Sequence, residues 1–393
     1  YNISFIMQQK AVFYGSYKMK KNLVLSGVLI FLSAIISAGE FKPSLHTAPS
    51  VRQQGFGGFY STDLDNFYGI YANPAILGLH AKHSLFPSID VRAAGLLKDS
   101  VNIINAVSNK DMEKLGKIIN DNNGIQLGMD IAPLLSFGHI SNWGFGWAFN
   151  TQMFVNASVP SVTLSDVNAG FESVLRAGYG FSLINTENHC LSIGATAKGF
   201  VQIATSYNGS ILDFLDNVIS DFKQIPAYFS AGFGFDIGAV YTLANALSVS
   251  VVWEDAFTQA FISSGTFGNF NAAMDKAKVL DSKLAVGAAF SFPVGWSNGF
   301  ISSLKVMADY RNIFTIFKTF GRNPILELSC GAELVLGKIF SLRFGMSEMY
   351  PAVGVGLGFG AFKLDFAMYG KELGLEPGSS PCLNSSLFIG FTY

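Results

Sequence analysis

The sequence predicts an all-β transmembrane antiparallel β-barrel of about fourteen strands. Half of its 393 residues are apolar, 41 are glycine and only 13% are charged, which is few charges to solvate the surface of a soluble α+β protein of this size. Apolar and polar residues alternate along most of the chain, and the connections between the alternating runs are by turns short and long. These features are typical of barrels whose strands turn one face to lipid and the other to a lumen.

The N-terminal region contains the longest apolar run, residues 23–38, which follows a pair of lysines and ends in small residues around Ala38 and Gly39. This layout is that of a secretory signal peptide, with a membrane anchor as the alternative. We therefore predict that residues 1–39 comprise upstream sequence and a cleavable signal peptide, whose start is Met7 or Met19. Removing residues 1–38 takes away four basic residues and no acidic ones, and the acidic balance that remains argues against a nucleic-acid partner.

The barrel strands are predicted from runs in which apolar residues alternate with small or polar ones. Fourteen such runs follow one another between residue 84 and the end of the chain, an even number, as in single-chain bacterial barrels. We therefore assign residues 84–393 to the barrel. The predicted strands are centred on Ile89, Met129, Phe149, Ala177, Ala195, Phe235, Val249, Val286, Val306, Ala332, Leu342, Val355, Leu364 and Ile389.

The clearest alternation lies late in the chain and predicts which side chains face lipid. A lysine or arginine costs roughly 2–4 kcal/mol at the bilayer midplane, so the faces that carry charge should line the lumen. The charged side chains predicted to point inward include Lys305, Asp309, Arg311, Glu327, Glu333, Arg343, Lys363 and Asp365. Their apolar neighbours predicted to point outward include Val306, Tyr310, Leu326, Leu328, Leu334, Phe344 and Phe366.

The connections alternate in length, which orients the barrel. Five of them are predicted to be tight periplasmic turns, near His139, Glu187, Ala244, Gly337 and Gly360. Most of the others are longer and suit extracellular loops, as expected if the N-terminus is periplasmic. Helical periodicity within these loops is found in residues 96–119, 211–222, 270–280 and 313–320.

The last predicted strand carries apolar side chains at alternate positions, namely Leu387, Ile389, Phe391 and Tyr393. This pattern resembles the C-terminal signal that the barrel assembly machinery reads in outer-membrane proteins. The resemblance implies that the barrel assembly machinery is a partner and that the chain is a multi-pass barrel in the outer membrane of a diderm bacterium.

Residues 40–83 precede the first strand, lack strand alternation and are rich in glycine and aromatic residues. They contain the sequence Asn73-Pro74-Ala75, in which the asparagine side chain can bond nearby backbone and the proline fixes φ, so that a defined turn forms. In this position the segment resembles the N-terminal hatch of the FadL family, long-chain fatty-acid transporters whose fourteen-stranded barrels are plugged by a hatch with an Asn-Pro-Ala motif. Ile76 departs from the glycine that is common in the family at this point.

The resemblance implies uptake of long-chain fatty acids or similar hydrophobic molecules. Such a ligand would be collected at the extracellular loops and would leave sideways into the surrounding outer-membrane lipid. A fatty acid needs an apolar groove for its tail and a cation for its carboxylate. The tail candidates are Phe56, Phe59, Tyr68 and Tyr71, and the carboxylate candidates are Lys305, Arg311, Arg343 and Lys363. The alternatives are that the aromatic residues pack the hatch against the wall and that the cations pair with carboxylates on neighbouring strands.

Other functions have weaker support in the sequence. A surface-exposed adhesin or scaffold barrel, binding protein partners through its loops, is the alternative function, and a general diffusion porin is a third. The glycines at 354, 356, 358 and 360 suit an inward stripe that leaves room for the hatch or for a bend in the wall. They do not indicate a phosphate loop, because neither a helix start nor a lysine follows them. The five histidines and three cysteines form no metal or catalytic pattern, so we predict neither an enzyme nor a cofactor.

Overall fold

The computed structural model describes residues 50–392, apart from residues 59, 87, 96–101, 104, 107–108, 110, 122–123, 133–135, 162–163, 211–225, 267–268, 270–275, 298 and 318–320. The predicted signal peptide, Phe59 and Tyr393 therefore lie outside the described residues. The strands are β1 His83–Leu85, β2 Ile89–Ala94, β3 Ile125–Ala132, β4 Phe137–Ile140, β5 Phe145–Ser161, β6 Leu164–Asn185, β7 His189–Gly209, β8 Pro226–Leu243, β9 Leu247–Thr266, β10 Lys276–Val279, β11 Lys283–Ser291, β12 Ile301–Tyr310, β13 Leu328–Leu336, β14 Phe340–Ser347, β15 Tyr350–Phe359, β16 Phe362–Glu372 and β17 Pro381–Phe391. The α-helices are Val51–Gly55, Gly69–Ala72 and Met112–Asp121, and the 3-10 helices are Pro74–Leu79, Gly295–Ser297, Ile313–Phe317 and Pro324–Glu327.

The strands form one closed antiparallel sheet. Neighbours in sequence pair with one another, and the sheet closes where β17 pairs with β2 through Ile389 and Ile89. Three wall strands are each built from two consecutive pieces, β1 with β2, β3 with β4, and β10 with β11, so the seventeen segments make fourteen wall strands. All fourteen predicted strand centres fall in these wall strands, which confirms the predicted fold class.

The alternation of the strands sorts side chains as predicted. On β12, Val306 is 41% exposed on the outer face, whereas the neighbouring Lys305 is 7% exposed and points inward. The inward Glu333 and Arg343 are likewise buried. The outward prediction for Leu326 is wrong, because β13 begins only at Leu328 and Leu326 is buried in the preceding 3-10 helix.

Most of the short connections lie at one end of the barrel, which we call the short-turn end, whereas the two-residue turn between β14 and β15 lies at the other end. Turns occur at the predicted places around Glu187, Ala244, Gly337 and Gly360, and the last three of these residues have positive φ. The turn predicted near His139 lies at residues 141–144 instead, because His139 belongs to β4 and pairs with Trp147. Exposed aromatic side chains, typical of a membrane-interface girdle, surround this end at Trp143, Phe181, Phe292, Phe300, Phe359 and Phe391.

The other end, which we call the long-loop end, contains helical elements in part as predicted. The helix Met112–Asp121 overlaps the predicted 96–119 segment, and the 3-10 helix Ile313–Phe317 lies in the predicted 313–320 segment. The 211–222 segment lies outside the described residues. The helix predicted at 270–280 is wrong for its described part, because residues 276–279 form β10 and extend the ladder along the long β9.

The helix Met112–Asp121 packs on the outside of the wall. Its Leu115 and Ile119 form an apolar cluster with Ile125, Val167 and Tyr207, which share the outward side of their strands with exposed lipid-facing residues. The helix therefore covers the wall beside the long-loop end. Among the described residues, no helix combines the length and apolar character needed to cross a membrane.

The main apolar core lies inside the barrel. The N-terminal segment, by which we mean residues 50–82, packs its apolar side chains against inward-facing residues of the wall. Phe56, Ile76 and Leu77 have no exposed surface. The interior is thus filled by this segment, and the segment positions the candidate site.

Candidate functional site

The N-terminal segment crosses the interior from one side of the wall to the other. Ser50 caps the N-terminus of the helix Val51–Gly55. Its hydroxyl oxygen accepts a hydrogen bond from the Gln53 N–H, and the Gln53 side chain accepts one from the Ser50 N–H. This helix contacts β14 to β17. The 3-10 helix Pro74–Leu79 contacts β6, β7 and β8 on the opposite side. The two anchored ends hold the intervening chain across the lumen.

The Asn73-Pro74-Ala75 motif fixes the second anchor. The Asn73 Oδ1 accepts a hydrogen bond from the Ala75 N–H at 2.9 Å, and its Nδ2 donates to the carbonyl oxygens of Ser61 and, on β8, Ala239. Pro74 occupies the first helical position, where its missing N–H is not needed. The motif thus begins a short 3-10 helix, a more regular structure than the isolated turn that the sequence predicts.

Serine side chains of the wall secure the same helix. Ser192 of β7 donates to the carbonyl oxygen of Ala75 at 2.6 Å, and Ser182 of β6 donates to that of Gly78. Pro74 also lies directly over Gly194, where any side chain would collide with it. Three neighbouring strands therefore recognise the backbone that follows Asn73.

A charged network ties the first anchor to the wall. Arg52 donates to Asp63 at 2.6 Å within the segment and to Glu333 of β13 at 2.9 Å. Burial alone would lower the pKa of Arg52, but Asp63 and Glu333 outweigh that effect and raise the pKa. Arg343 then donates to Glu333 at 2.8 Å and to Asp365 at 2.6 Å. One continuous network therefore joins the segment to β13, β14 and β16.

Two further polar contacts join the segment to β12. Lys305 donates to Asp65 at 2.7 Å. Asp309 accepts hydrogen bonds from both the backbone N–H and the hydroxyl of Ser61. These inward side chains of β12 bind the segment rather than open water.

The predicted carboxylate-binding cations thus have different environments. Arg343 pairs with Glu333 on the adjacent β13, the alternative considered from sequence, and also with Asp365 on β16, two strands away, whereas Lys305 pairs with the N-terminal segment. Arg311 and Lys363 line two separate cavities. Sequence reasoning missed Arg52, Asp63 and Asp65, although three charged residues in a glycine-rich segment that enters a charged lumen are a usable signal.

The predicted tail-binding aromatic residues mostly pack the segment. Phe56 is fully buried, and its carbonyl group lies against Gly331 and Gly345 of the wall. The ring of Tyr71 lies under the Arg176 guanidinium, 5.0 Å from its carbon. Tyr68 packs edge-on against Phe388 of β17 at 5.8 Å and borders a cavity. Of the described candidates, Tyr68 is the one that lines either of the two cavities described next.

Two cavities lie on opposite sides of the N-terminal segment. The outer cavity, about 550 Å³, is at the long-loop end and is lined by polar side chains including Arg92, Asp130 and Arg311. The inner cavity, about 580 Å³, is at the short-turn end and is lined by residues including Val51, Tyr68 and Lys363. The segment borders both cavities and lies between them.

The wall ladder changes register between β1 and β2, at a place that we call the ladder interruption. β1 ends at Leu85 and β2 begins at Ile89, while next to them β3 ends at Ala132 and β4 begins at Phe137. Leu85 pairs with Gly138 whereas Asp90 pairs with Ala132, so the register between the two wall strands shifts by one residue. A change in strand pairing therefore affects two neighbouring wall strands at the same height.

The inner surface beside the ladder interruption is apolar. The inward side chains Leu85, Ile140 and Phe388 form one cluster with Phe67 and Leu77 of the N-terminal segment. Phe67 also lies directly over Gly138 of β4. Other inward apolar clusters lie at β11 and β12 and at β6, β7 and β9, and the present cluster is distinguished by its position next to the ladder interruption.

The inward glycines of β15 make room for the segment, as predicted. A Cβ atom on Gly354 would lie 2.7 Å from the Gly55 Cα, and one on Gly356 would collide with Asp365 and Arg343. The predicted histidines contribute no cluster: His80 follows the 3-10 helix, while His83 and His189 begin strands. Among the described residues, no group of three or more metal-binding side chains is found.

The closed ladder of fourteen strands, its outward apolar face and its inward charges define a transmembrane β-barrel of the outer-membrane type. No family model matches the sequence, and no curated protein matches it. Similar solved structures include the CymD monoaromatic hydrocarbon channel, with 11% identity, coverage of 88% of this chain and 97% of that chain, and a TM-score of 0.46. The Pseudomonas putida toluene transporter TodX has 10% identity, with coverage of 87% of this chain and 96% of that chain and a TM-score of 0.38. A Pseudomonas aeruginosa FadL homologue has 8% identity, with coverage of 90% of this chain and 99% of that chain and a TM-score of 0.39.

Proposed function

We propose that this barrel takes up long-chain fatty acids or similar hydrophobic molecules across the outer membrane, with residues 40–83 acting as a hatch. The observation that carries the proposal is the apolar cluster of Phe67, Leu77, Leu85, Ile140 and Phe388 behind the ladder interruption. An apolar lumen surface is unfavourable next to water and useful to an apolar ligand. Export by a signal peptide and insertion by the barrel assembly machinery belong to the same proposal.

The proposed route enters at the outer cavity and leaves sideways at the ladder interruption. Straight passage is opposed by the N-terminal segment, which is fastened to the wall by Arg52, Lys305 and Asn73. A sideways exit delivers the ligand to lipid, where its apolar surface is already stable, and avoids a water-filled pore. Non-helical backbone at this depth is tolerated because protein or the lumen surrounds it.

The Asn73→Ala variant tests the proposal. It removes the cap of the 3-10 helix and leaves the N–H of Ala75 and the carbonyl oxygens of Ser61 and Ala239 without their partner, which should cost about 1–2 kcal/mol locally. We expect uptake of a radiolabelled long-chain fatty acid by cells expressing the variant to fall several-fold, with unchanged amounts of folded barrel.

Asn323→Ala is the matched control. Asn323 caps the 3-10 helix Pro324–Glu327 with the same kind of hydrogen bond, from the N–H two residues on to its Oδ1, but it lies in a long loop. Normal uptake by the Asn73 variant, or equal losses in both variants, would contradict a positioning role for the motif. Failure of the wild-type protein to raise fatty-acid uptake above that of an unrelated barrel would reject the proposed function itself.

A second candidate function is a surface scaffold that binds protein partners. It is favoured by exposed apolar side chains in two long loops, Phe317 and Leu375, the latter in a loop joined to Asn323 by a backbone hydrogen bond. Loss of partner binding by a Phe317→Asp and Leu375→Asp variant of a barrel that carries no hydrophobic ligand would support this function instead.

A further inference from the structure

The outer cavity has a polar wall to which the proposed uptake of hydrophobic molecules gives no role. Five adjoining wall strands contribute one row of residues here. Tyr369 of β16 pairs with Asn384 of β17, and the row continues through Ala94 of β2, Gly128 of β3 and Asn156 of β5. All five residues line the outer cavity. The pairing of the strands therefore brings three polar side chains to the same level of one cavity.

The middle of this row forms a recess. Ala94 has a short side chain and Gly128 has none, while Asn384 and Asn156 stand on either side of them. The Oδ1 atom of Asn156 lies over Gly128, 2.7 Å from the position of a Cβ atom there. Because neighbouring strands are about 4.8 Å apart, the two asparagines are separated by roughly 14 Å along the wall. The cavity volume of about 550 Å³ lies within the range of cavities that hold small organic ligands.

Two polar groups in the row are available to a ligand. Among the residues that the structure describes, neither the side-chain amide of Asn156 nor the hydroxyl of Tyr369 has a hydrogen-bond partner. Asn384 instead donates its amide to the carbonyl oxygen of Cys382 at 3.1 Å. A side-chain amide has both donors and an acceptor, so Asn156 can bind two neighbouring hydroxyl groups at once.

The charges around the outer cavity do not favour an ionic ligand. Four cationic side chains and four carboxylates line the cavity, so its formal charges balance. Arg92, two residues before Ala94 on the same face of β2, donates to Asp90 through Nε at 3.1 Å and Nη2 at 2.6 Å. A charged ligand would have to compete with this pair for its partner. The available groups beside the recess are therefore neutral ones.

We infer that the outer cavity binds an uncharged sugar, held by Asn156 and Tyr369 on the two sides of the recess. Adjacent hydroxyl groups of a sugar ring present a donor beside an acceptor, which matches the amide of Asn156. The aromatic ring of Tyr369 offers an apolar surface to the C–H groups of the sugar, and its hydroxyl offers a hydrogen bond. The inference goes beyond the proposed function, because a sugar is a hydrophilic ligand.

Saturation-transfer NMR on the full barrel in lipid nanodiscs tests the inference. The probes are maltose, lactose and sucrose, each titrated to obtain a dissociation constant. We expect at least one of them to bind, and Asn156→Ala to weaken that binding about tenfold through the loss of two hydrogen bonds. Tyr369→Phe keeps the ring and should weaken binding about threefold. Ala94→Leu should abolish binding, because the added side chain fills the recess.

Asn150→Ala is the matched control, because Asn150 lies on the same strand as Asn156 but lines neither of the two cavities. Its sugar binding should equal that of the wild-type protein. Absence of binding by all three sugars, or equal weakening in the two asparagine variants, would overturn the inference. Tighter binding of glucuronate or glucosamine than of glucose would also overturn it, because the site would then select a charge.

Discussion

Arg52 connects two parts of the molecule that are far apart in sequence. Its guanidinium binds Asp63 in the same segment and Glu333 in the wall, and its side chain is only 16% exposed. A buried ion pair adds little net stability over an apolar pair, but removing one partner leaves the others buried and charged. We therefore interpret Arg52 as a residue that attaches the N-terminal segment to the wall, and not as part of a ligand site.

The Arg52→Gln variant should loosen the N-terminal segment. Leaving Asp63 and Glu333 without the cation should cost about 3 kcal/mol, the lower end of the range for a broken buried pair. Hydrogen exchange of the amides in residues 51–58 should accelerate by about a hundredfold if local opening follows that free energy. The control is Arg322→Gln, which removes an ion pair with Glu348 among the long loops; equal exchange in both variants would contradict the fastening role.

At the scale of elements, Gly354 of β15 makes room for the helix Val51–Gly55 that crosses the strand. The approach of Gly55 to Gly354 brings two backbones together without a side chain between them. Strand glycines weaken a ladder unless a close contact requires them. Gly354 is therefore part of the surface against which the N-terminal segment packs, whereas Gly356 and Gly358 make room for side chains of the wall.

Gly354→Ala should lower the free energy of unfolding by about 1–3 kcal/mol, because the added Cβ atom meets the backbone of the N-terminal segment, which cannot rotate away. Gly199→Ala in β7 is the control, since a Cβ atom there meets nothing within 4 Å. The urea midpoint of unfolding from lipid vesicles should fall for the first variant only. Similar midpoints for both variants would show that the backbone around Gly354 can shift to accept the added Cβ atom.

The last strand, β17, closes the barrel and carries Leu387, Ile389 and Phe391 on its outer face. If the assembly machinery reads this strand, Phe391→Ser should lower the fraction of folded barrel in the outer membrane several-fold. Phe344→Ser is the control, because Phe344 of β14 is also an outward aromatic residue, 59% exposed against 49% for Phe391. Equal folded fractions, measured by heat-dependent electrophoretic mobility, would remove support for a recognition role.

At the scale of the whole molecule, the outward apolar face determines how the barrel sits in the bilayer. A charge should therefore be penalised according to depth. Val355→Arg, in the middle of β15, should cost about 2–4 kcal/mol of unfolding free energy in vesicles, whereas Phe359→Arg at the short-turn end of the same strand should cost about 0–1 kcal/mol. Both residues are exposed on the outer face, so equal costs would contradict this membrane placement.

Much of the barrel follows from the sequence alone. The two-residue alternation specifies which face of a strand meets lipid. A register shift of one residue would move every side chain to the opposite face. The outward direction of Val306 and the inward direction of Lys305 could therefore be predicted without a structure. The number of strands and most of the tight turns follow from the same periodicity and from local turn chemistry. The helix predicted at 270–280 is wrong in its described part, because four residues such as Lys276–Val279 are too few for periodicity to separate a helix from a strand, and pairing with β9 decides between them.

The candidate site depended on contacts that no local pattern encodes. The sequence indicated that Lys305 and Arg343 face the lumen, but only the tertiary structure decided that Asp65 and Glu333 neutralise them. Likewise Lys363 looked like the other inward cations until its glycine neighbours and its cavity distinguished it. Periodicity determines the face of a strand to which a side chain points. Ion pairing depends on residues brought together from distant parts of the chain, and for this reason only the tertiary structure could show which charges meet.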